Sequence, residues 1–343
     1  MQVTPLCLGT MMFGAWGEPD HDASIAIIHR ALDAGINFVD TADIYSRGES
    51  ETIVGKALAG GRRDDVILAT KFHGPMDVGM NEPGGDPNKR GNSRRWIVQE
   101  VERSLRRLQT DWIDLYQVHR PEPGTDLEET LSALTDLRQA GKIRAFGCST
   151  FPAHQLVESQ WVSERRALGR FATEQPPYSL LVREIEADVL PVAQRFGMGV
   201  LPWSPLAGGW LTGRWRKGQD APDSPRTKMM PARFDLEDPD NRRKLDAVEA
   251  LALLAEEAGL SLIHLALGFV LAHPAVTAPI VGPRTMEQLE SQLGAADVTL
   301  TKDVLDRIDE IVPPGTNASP ADGGWVPPAL TDPALRRWPS GLA

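Results

Sequence analysis

The sequence predicts an α/β protein in which eight parallel strands and their helices close into a (β/α)8 TIM barrel. Short apolar runs typical of buried strands alternate along the chain with segments that have the apolar spacing of amphipathic helices. Eight such units occur, and parallel neighbours need a helical crossover of this kind. No Gly-x-Gly-x-x-Gly turn follows the first strand, which disfavours a doubly wound open sheet.

The elements follow one another in a regular order along the chain. The predicted strands lie at residues 7–9, 37–40, 66–71, 113–118, 145–149, 171–175, 199–202 and 278–281. The predicted helices lie at residues 23–34, 49–59, 93–108, 127–140, 153–165, 185–196, 241–271 and 285–293. Gly35, Gly141 and Gly197 stand at helix ends, where a residue that tolerates positive φ is favoured. The long apolar pattern over 241–271 is expected to divide into two helices at Ala258-Gly259.

The chain is predicted to form one barrel domain over residues 1–312. Two long loops, residues 73–92 and 203–240, fall outside the repeat and are expected to lie over the active face. Residues 313–343 form a Pro-rich tail that we expect to fold over the mouth, with a disordered end as the alternative. Trp325 and Trp338 favour docking, because disordered segments tend to lack large aromatic side chains.

Composition and charge exclude several classes of function. The chain has 36 basic and 47 acidic residues, for a net charge of −11, so binding to a nucleic-acid backbone is not expected. Two cysteines cannot supply a secreted disulfide framework, and a reducing cytoplasm fits. No apolar run reaches the roughly 18 residues of a membrane span, and no signal peptide is recognisable.

Polar residues at the predicted strand ends are the candidates for chemistry, because barrel enzymes take their catalytic groups from there. They are Asp40, Lys71, His119, Ser149 and Gln175, together with Tyr45, five residues after Asp40. A lysine ammonium stabilises the negative charge that a tyrosine hydroxyl acquires when it gives up its proton, and a carboxylate keeps the lysine charged. A histidine can orient a carbonyl oxygen or assist the proton transfer.

Each of these residues also has an ordinary structural explanation. Asp40 can cap the next helix, Lys71 can be a solvated lysine, and His119 can begin a polar loop. Their order over three successive strands is what favours a common acid–base site, since the chain has only three tyrosines and seven histidines.

Seven segments of the chain resemble the aldo-keto reductase family, in the bacterial branch that also resembles potassium-channel β subunits. The segments are residues 8–14 (LGTMMFG), 37–45 (NFVDTADIY), 69–72 (ATKF), 111–120 (DWIDLYQVHR), 141–149 (GKIRAFGCS), 202–209 (PWSPLAGG) and 279–284 (PIVGPR). They occur in the family's order, from about residue 6 to residue 312.

The resemblance implies reduction of aldehydes and ketones by NADPH, without a metal, on a tetrad of Asp40, Tyr45, Lys71 and His119. The residues that it implies for the cofactor are Thr10, Met11, Asp40, Ser149, Gln175, Trp203, Ser204, Leu206, Gly208, Arg214, Gly282, Arg284, Gln288 and Gln292. Trp203 would stack on the nicotinamide ring, and Arg284 would take a 2′-phosphate, so NADH is the less favoured cofactor. The substrate pocket is expected to include Trp16, Phe72, His73 and Phe151.

Three features depart from the family pattern. Thr150 stands where the family usually has Asn, which leaves one contact to the nicotinamide carboxamide open. Ser291 and Gln292 replace a usual Glu-Asn pair near the adenine. Residues 1–5 are too short for the usual N-terminal β-hairpin below the barrel, and we hypothesise that the start of the protein lies upstream, because an open apolar floor favours aggregation.

Other functions stay open beside the reductase. One is a cofactor-sensing regulatory subunit with weak activity; channel β subunits have Asn at the histidine position, so His119 favours a working reductase. Another is a keto-sugar reductase of secondary metabolism. A metal-dependent barrel hydrolase is disfavoured, because the seven histidines are scattered. The physiological substrate is not specified by the sequence, and a homo-oligomer is possible.

Overall fold

An eight-stranded parallel sheet forms the centre of the protein in a computed structural model that describes residues 1–78 and 84–337. The strands are β1 (Cys7–Gly9), β2 (Phe38–Asp40), β3 (Ile67–Phe72), β4 (Ile113–Val118), β5 (Ile143–Ser149), β6 (Thr173–Gln175), β7 (Gly199–Val200) and β8 (Ile280–Val281). Their spatial order is β8-β1-β2-β3-β4-β5-β6-β7, and every pairing is parallel.

The sheet closes on itself between β7 and the segment before β8. Val200 forms a parallel bridge with Val276. The Thr277 amide donates to the Val200 carbonyl at 2.8 Å, and the Ile280 amide donates to the Pro202 carbonyl at 2.8 Å. These bonds join the two edges of the sheet, so the predicted (β/α)8 TIM barrel is confirmed.

Helices pack around the barrel, and short ones also form in the long loop after β7 and in the tail. They are α1 (His21–Asp33), α2 (Glu49–Leu58), α3 (Arg94–Leu108), α4 (Leu127–Gln139), α5 (Ala153–Arg166), α6 (Val189–Phe196), α7 (Pro225–Met229), α8 (Pro239–Glu257), α9 (Leu262–Ala272), α10 (Met286–Leu293), α11 (Lys302–Ile311) and α12 (Pro328–Thr331). The long apolar pattern breaks as expected between α8 and α9, where the Ser261 hydroxyl caps the second helix through the His264 amide. Helices α7, α11 and α12 lie outside the predicted repeat.

The predicted helix over 185–196 is shorter in the structure. A separate 3-10 turn occupies Glu184–Glu186, and α6 begins only at Val189. Asp188 has non-helical φ and ψ, and its side chain caps α6 at the Val189 amide. The capping aspartate therefore sets the start of α6 at Val189.

The inside of the barrel is filled by apolar side chains, so it is a packed core and not a channel. The buried members are Cys7, Phe38, Ala69, Leu115, Leu201, Ala278 and Ile280. Val3 packs against this cluster from below, and Thr4 and Asn37 exchange two hydrogen bonds between their backbone amides and side-chain oxygens. The segment before β1 therefore contacts the barrel floor.

The described part of the tail packs back onto the barrel. Its Ala318 amide donates to the Leu181 carbonyl at 2.9 Å, and the Arg183 amide donates to the Thr316 carbonyl at 2.9 Å. Asp322 is buried and pairs with Arg233 and Lys244. Trp338, expected to dock the tail, and residues 79–83 of the first long loop lie outside the described residues.

No single helix within the two described ranges is long and apolar enough to cross a membrane. Helices α8 and α9 pass the same test of length and composition only as a pair, and they are bent by 94° at their junction.

Candidate active site

The polar residues at the strand ends meet at one rim of the barrel. The register aligns Gly9 with Asp40, Asp40 with Ala69, and Ser149 with Gln175, so the ends of neighbouring parallel strands lie side by side. His119 follows β4 directly, and its amide donates to the Phe72 carbonyl at 3.0 Å. The register of the sheet thus gathers side chains that are far apart in sequence.

Lys71 is a buried ammonium held between a carboxylate and a phenol. Its Nζ forms an ion pair with Asp40 Oδ1, donates to the Thr41 carbonyl at 2.9 Å, and lies 3.2 Å from Tyr45 Oη. Burial opposes the ammonium form, but the Asp40 charge and the hydrogen bonds to Asp40 and Tyr45 outweigh it and raise the pKa of Lys71 above its ordinary value. The lysine therefore stays charged next to the Tyr45 hydroxyl at neutral pH.

The Asp40 carboxylate is held from its other side by two amides. Gln175 Nε2 donates to Asp40 Oδ2 at 2.9 Å, and Gln117 Nε2 donates to the same oxygen at 3.2 Å. All three side chains are buried. Gln117 is a residue that sequence reasoning missed; the available signal is an amide side chain inside the predicted strand β4.

His119 lies beside the Tyr45 hydroxyl as a neutral imidazole. The two rings meet edge to face with centroids 5.8 Å apart. Burial, together with the positive charges of Arg120 and Lys71, lowers the pKa of His119 well below its usual range. A neutral imidazole can donate a hydrogen bond without adding a second positive charge.

The turn that carries Tyr45 is strained and tied to the first loop. Ser46 and Arg47 adopt left-handed backbone conformations, with φ of 45° and 56°. Ser46 Oγ donates to the Phe13 carbonyl at 3.0 Å and accepts from the Trp16 amide at 3.1 Å. His73 and Thr150 (φ 151° and 61°) add to the left-handed non-glycine residues around the site, and such strain clusters at functional sites.

A cleft of about 1010 Å³ opens above this rim. Asp40, Tyr45 and His119 lie in its wall, while Lys71 is buried beneath them. Every residue predicted to contact the cofactor lines the cleft: Thr10, Met11, Asp40, Ser149, Gln175, Trp203, Ser204, Leu206, Gly208, Arg214, Gly282, Arg284, Gln288 and Gln292. The structure therefore brings the predicted set together in one cavity; the individual roles remain predictions.

The loop after β7 supplies an oriented backbone to the cleft. Ser204 and Ala207 have φ of 54° and 49°, and Gly208 and Gly209 have φ of 68° and 112°. The Ala207 and Gly209 amides donate within the loop, to the Ser204 and Leu206 carbonyls at 2.8 and 2.9 Å, so a tight turn brings the backbone to the cleft wall. Two buried polar atoms at the cleft have no hydrogen-bond partner within the described chain, Nε1 of Trp203 and Oε1 of Gln292. Such atoms are suited to a ligand.

The four predicted pocket residues separate into two groups. His73 lines the cleft, and Trp16 packs against Tyr45 with ring centroids 6.1 Å apart. Phe72 is buried against Tyr116 with ring centroids 4.8 Å apart, and Phe151 is buried against Phe171 with ring centroids 5.6 Å apart. The structure does not bring these two phenylalanines to the cleft, because their side chains fill the layer between strands and helices.

Several charged residues of the cleft were not anticipated from the sequence. Arg120, Arg226 and Arg233 all lie in its wall, and Ala321 and Gly324 join them from the tail. Arg120 directly follows His119, so its position next to a strand end was an available signal. The other residues come from long loops, where sequence gives no register.

The two cysteines do not add chemistry to this site. Cys7 and Cys148 are buried and free, and burial raises the pKa of both thiols well above their ordinary value. Among residues 1–78 and 84–337, no group of three or more His, Cys, Asp or Glu side chains is arranged to hold a metal ion.

Comparison with known proteins identifies a family for this chain. Residues 5–313 match the Aldo/keto reductase family. The chain is 39% identical over 332 residues to "Uncharacterized oxidoreductase YrpG" of Bacillus subtilis (strain 168), covering 95% of this chain and 97% of that protein. It is 40% identical over 300 residues to "Aldo-keto reductase YhdN" of the same organism, covering 85% and 84%. It is 34% identical over 323 residues to a "Probable voltage-gated potassium channel subunit beta" of Arabidopsis thaliana, covering 90% and 94%.

Proposed function

Because this chain belongs to the aldo/keto reductase family and is an oxidoreductase of carbonyl and alcohol groups, we propose that it is an NADPH-dependent reductase of aldehydes and ketones. Tyr45 is the proton donor in this proposal. The observation that carries it is the buried Lys71 ammonium between the Asp40 carboxylate and the Tyr45 hydroxyl, at the floor of the large cleft.

The cleft suits a dinucleotide in size and in chemistry. Its volume lies at the upper end of the roughly 300–1,000 Å³ range of small-molecule sites. The tight turn around Gly208 lets a ligand approach the backbone, and Arg214 and Arg226 offer positive charge for the phosphates. The unpartnered Gln292 Oε1 offers an acceptor for an amino group at the far end. Arg284 would hold a 2′-phosphate, which favours NADPH over NADH.

The residues of the chain account for the acid–base part of the reaction. When bound, the reduced nicotinamide supplies a hydride to the carbonyl carbon. Tyr45 gives its proton to the carbonyl oxygen as that oxygen becomes negative, and Lys71 stabilises the phenolate left behind. Neutral His119 orients the same oxygen through a hydrogen bond, an effect worth about 3–4 kcal/mol per donor in other enzymes. Gln117 and Gln175 keep Asp40 in place and thereby keep Lys71 charged.

A second candidate function is a cofactor-binding regulatory subunit with slow chemistry. The similarity to relatives named as probable potassium-channel β subunits favours it. Such a subunit binds the cofactor tightly but turns over weakly, so the two functions differ in rate and not in fold.

Oxidation of NADPH by the purified protein tests the proposal. We expect turnover with a panel of aldehydes, ketones and keto-sugars, and slower turnover with NADH. Rapid reduction of neutral keto-sugars alone would identify a keto-sugar reductase. Tight NADPH binding with no turnover on any member of the panel would contradict the reductase and support the regulatory subunit.

The proposal places this reaction in the cytoplasm. Two free, buried thiols are consistent with a reducing compartment. A small carbonyl compound is the proposed partner, and the protein is proposed to act without nucleic acid, metal or membrane, alone or as a homo-oligomer.

A further inference from the structure

Arg120 is a half-buried cation in the wall of the cleft, and no carboxylate pairs with it in the described chain. Four other arginines of low exposure are paired with carboxylates: Arg63 with Asp114 at 2.8 Å, Arg107 with Glu51 at 2.6 Å, Arg183 with Glu186 at 2.8 Å, and Arg216 with Glu249 at 2.9 Å. Taking a guanidinium out of water without an anion is unfavourable. Arg120 is therefore suited to an anion that arrives from solution.

The hydrogen bonds of Arg120 leave half of its guanidinium unused. Nη1 donates to Thr150 Oγ1 and, at 3.3 Å, to the His119 carbonyl. Nε and Nη2 donate to no residue that the structure describes. These two nitrogens form one edge of a planar fork, which is the geometry that binds a carboxylate through two parallel hydrogen bonds. The edge is fixed in position, because Nη1 is held by Thr150 and the guanidinium lies 5.7 Å from the Trp203 ring.

Arg120 also lies close to the proposed reaction centre. It is the next residue after His119, whose ring meets the Tyr45 ring with centroids 5.8 Å apart, and Tyr45 and Arg120 line the same cleft. Burial lowers the pKa of Arg120, while Tyr45 and Glu174 oppose this shift and Arg233 adds to it. A ligand whose carbonyl oxygen reaches Tyr45 can therefore reach Arg120 with a second group a few bonds away.

We propose that Arg120 selects carbonyl substrates that carry a carboxylate, by binding that carboxylate through Nε and Nη2 while the carbonyl oxygen lies at Tyr45. This substrate class rests on the proposed reductase function. The protein's net charge of −11 repels anions, so the selection must come from local contacts at the cleft.

Matched acid and ester substrates test the proposal. The acids are 4-carboxybenzaldehyde and 4-oxobutanoate, and the neutral counterparts are their methyl esters. In Arg120→Gln we expect kcat/KM for the acids to fall about 10- to 100-fold, the range for a hydrogen bond to a charged group, and kcat/KM for the esters to change less than about threefold. Arg120→Lys keeps the charge but loses the fork, and is expected to retain part of the preference.

Two further measurements separate the alternatives. Arg226 is another guanidinium of the cleft wall that no carboxylate pairs with in the described chain, and it contacts Met11 Sδ at 3.8 Å. Arg226→Gln is expected to weaken NADPH binding and to lower acid and ester turnover alike. NADPH titration of Arg120→Gln, followed by protein fluorescence, confirms that this variant is folded and loaded.

The outcomes are distinct. An equal loss on acid and ester in Arg120→Gln would show that Arg120 only supports Thr150 and would overturn the proposal. A loss of acid preference in Arg226→Gln alone would place the anion elsewhere and also overturn it. Failure of the wild-type protein to reduce either substrate would instead contradict the reductase function.

Discussion

Lys71 has no exposed surface, yet it carries a charge that the rest of the site depends on. The Asp40 carboxylate compensates for burial, and the raised pKa of Lys71 means that the ammonium persists through neutral pH. Two glutamine amides hold Asp40 in turn, at 2.9 and 3.2 Å. The Tyr45 hydroxyl therefore faces a fixed positive charge, which is the arrangement that favours proton donation.

Glu174 provides a prediction at the same scale that does not depend on turnover. Burial raises the pKa of this carboxyl to about 7 from an ordinary 4.5, while hydrogen bonds from Cys148 and the Phe151 amide oppose the shift. Because the folded protein binds this proton more tightly than the unfolded chain, the stabilisation is present below pH 4.5 and is lost as pH rises through about 7. From these values the loss is about 3 kcal/mol.

Urea unfolding of wild type and Glu174→Gln at acidic and mildly alkaline pH measures this effect. The variant is expected to lose less stability than the wild type as pH rises, by about 3 kcal/mol. Glu158→Gln, on the exposed face of α5, is the control and should follow the wild type. Parallel pH profiles for wild type and Glu174→Gln would show that Glu174 ionises normally.

The sequence predicted individual residues well where they end strands. Asp40, Ser149 and Gln175 end β2, β5 and β6, and His119 follows β4, so their common rim follows from barrel topology alone. Gln117 was missed because a residue in the middle of a strand is expected to be part of the apolar core. Phe72 and Phe151 were expected in the substrate pocket. Side chains alternate between the two faces of a strand, which places Phe72 between the sheet and the helices, and the turn after β5 places Phe151 in the same layer.

At the scale of elements, the turn between β8 and α10 forms the far end of the cleft. The Thr285 hydroxyl caps α10 by accepting from the Gln288 amide, and Gln288 Oε1 accepts from the Arg284 amide at 2.8 Å. This reciprocal pair fixes the backbone at Arg284 and leaves its side chain in the wall of the cleft. The element thus presents a cation from a rigid turn.

Arg284→Ala tests the predicted cofactor preference of this turn. We expect KM for NADPH to rise about 10- to 100-fold and KM for NADH to change less than about threefold, because only NADPH carries the 2′-phosphate. Steady-state kinetics with both cofactors and one aldehyde give the ratio. Equal changes for the two cofactors would place the 2′-phosphate elsewhere.

Elements with a strongly periodic pattern of apolar residues were predictable from the sequence. Short elements whose extent depends on their tertiary contacts were not. The break between α8 and α9 follows from Gly259 and from Ser261 as a cap. In contrast, β7 and β8 have two residues each, because their extent depends on which neighbour they bond. Helix α7 forms around a Ser224–Thr227 capping box inside a loop, where no long apolar pattern exists.

At the scale of the whole molecule, the tail is joined to the long loop after β7 through one buried aspartate. Asp322 pairs with Arg233 Nη2 at 2.5 Å and with Lys244 Nζ at 2.7 Å. Gly324 lies against Trp203 and Thr150, so closely that a Cβ atom there would come within 2.9 Å of both side chains. The tail and the loop together form the outer wall beside the predicted nicotinamide position.

Asp322→Asn should therefore speed cofactor release. Loss of the carboxylate leaves Lys244 buried without its anion and loosens the loop that carries Arg226 and Arg233. We expect the NADPH dissociation rate, measured by stopped-flow displacement, to rise several-fold. Asp332→Asn, on the exposed end of the same tail, is the matched control. An unchanged rate in Asp322→Asn would show that the tail does not restrain the cofactor.

Tyr45→Phe gives the most direct test of the account, because it removes the proposed proton donor and leaves the ring. Tyr116→Phe is its control, since the Tyr116 hydroxyl is buried without a hydrogen-bond partner in the described chain. In single-turnover reduction of an aldehyde by saturating NADPH, we expect Tyr45→Phe to slow the chemical step about 10²- to 10⁴-fold with NADPH affinity unchanged, and Tyr116→Phe to match the wild type. A Tyr45→Phe protein that reduces the aldehyde at the wild-type rate would contradict the account.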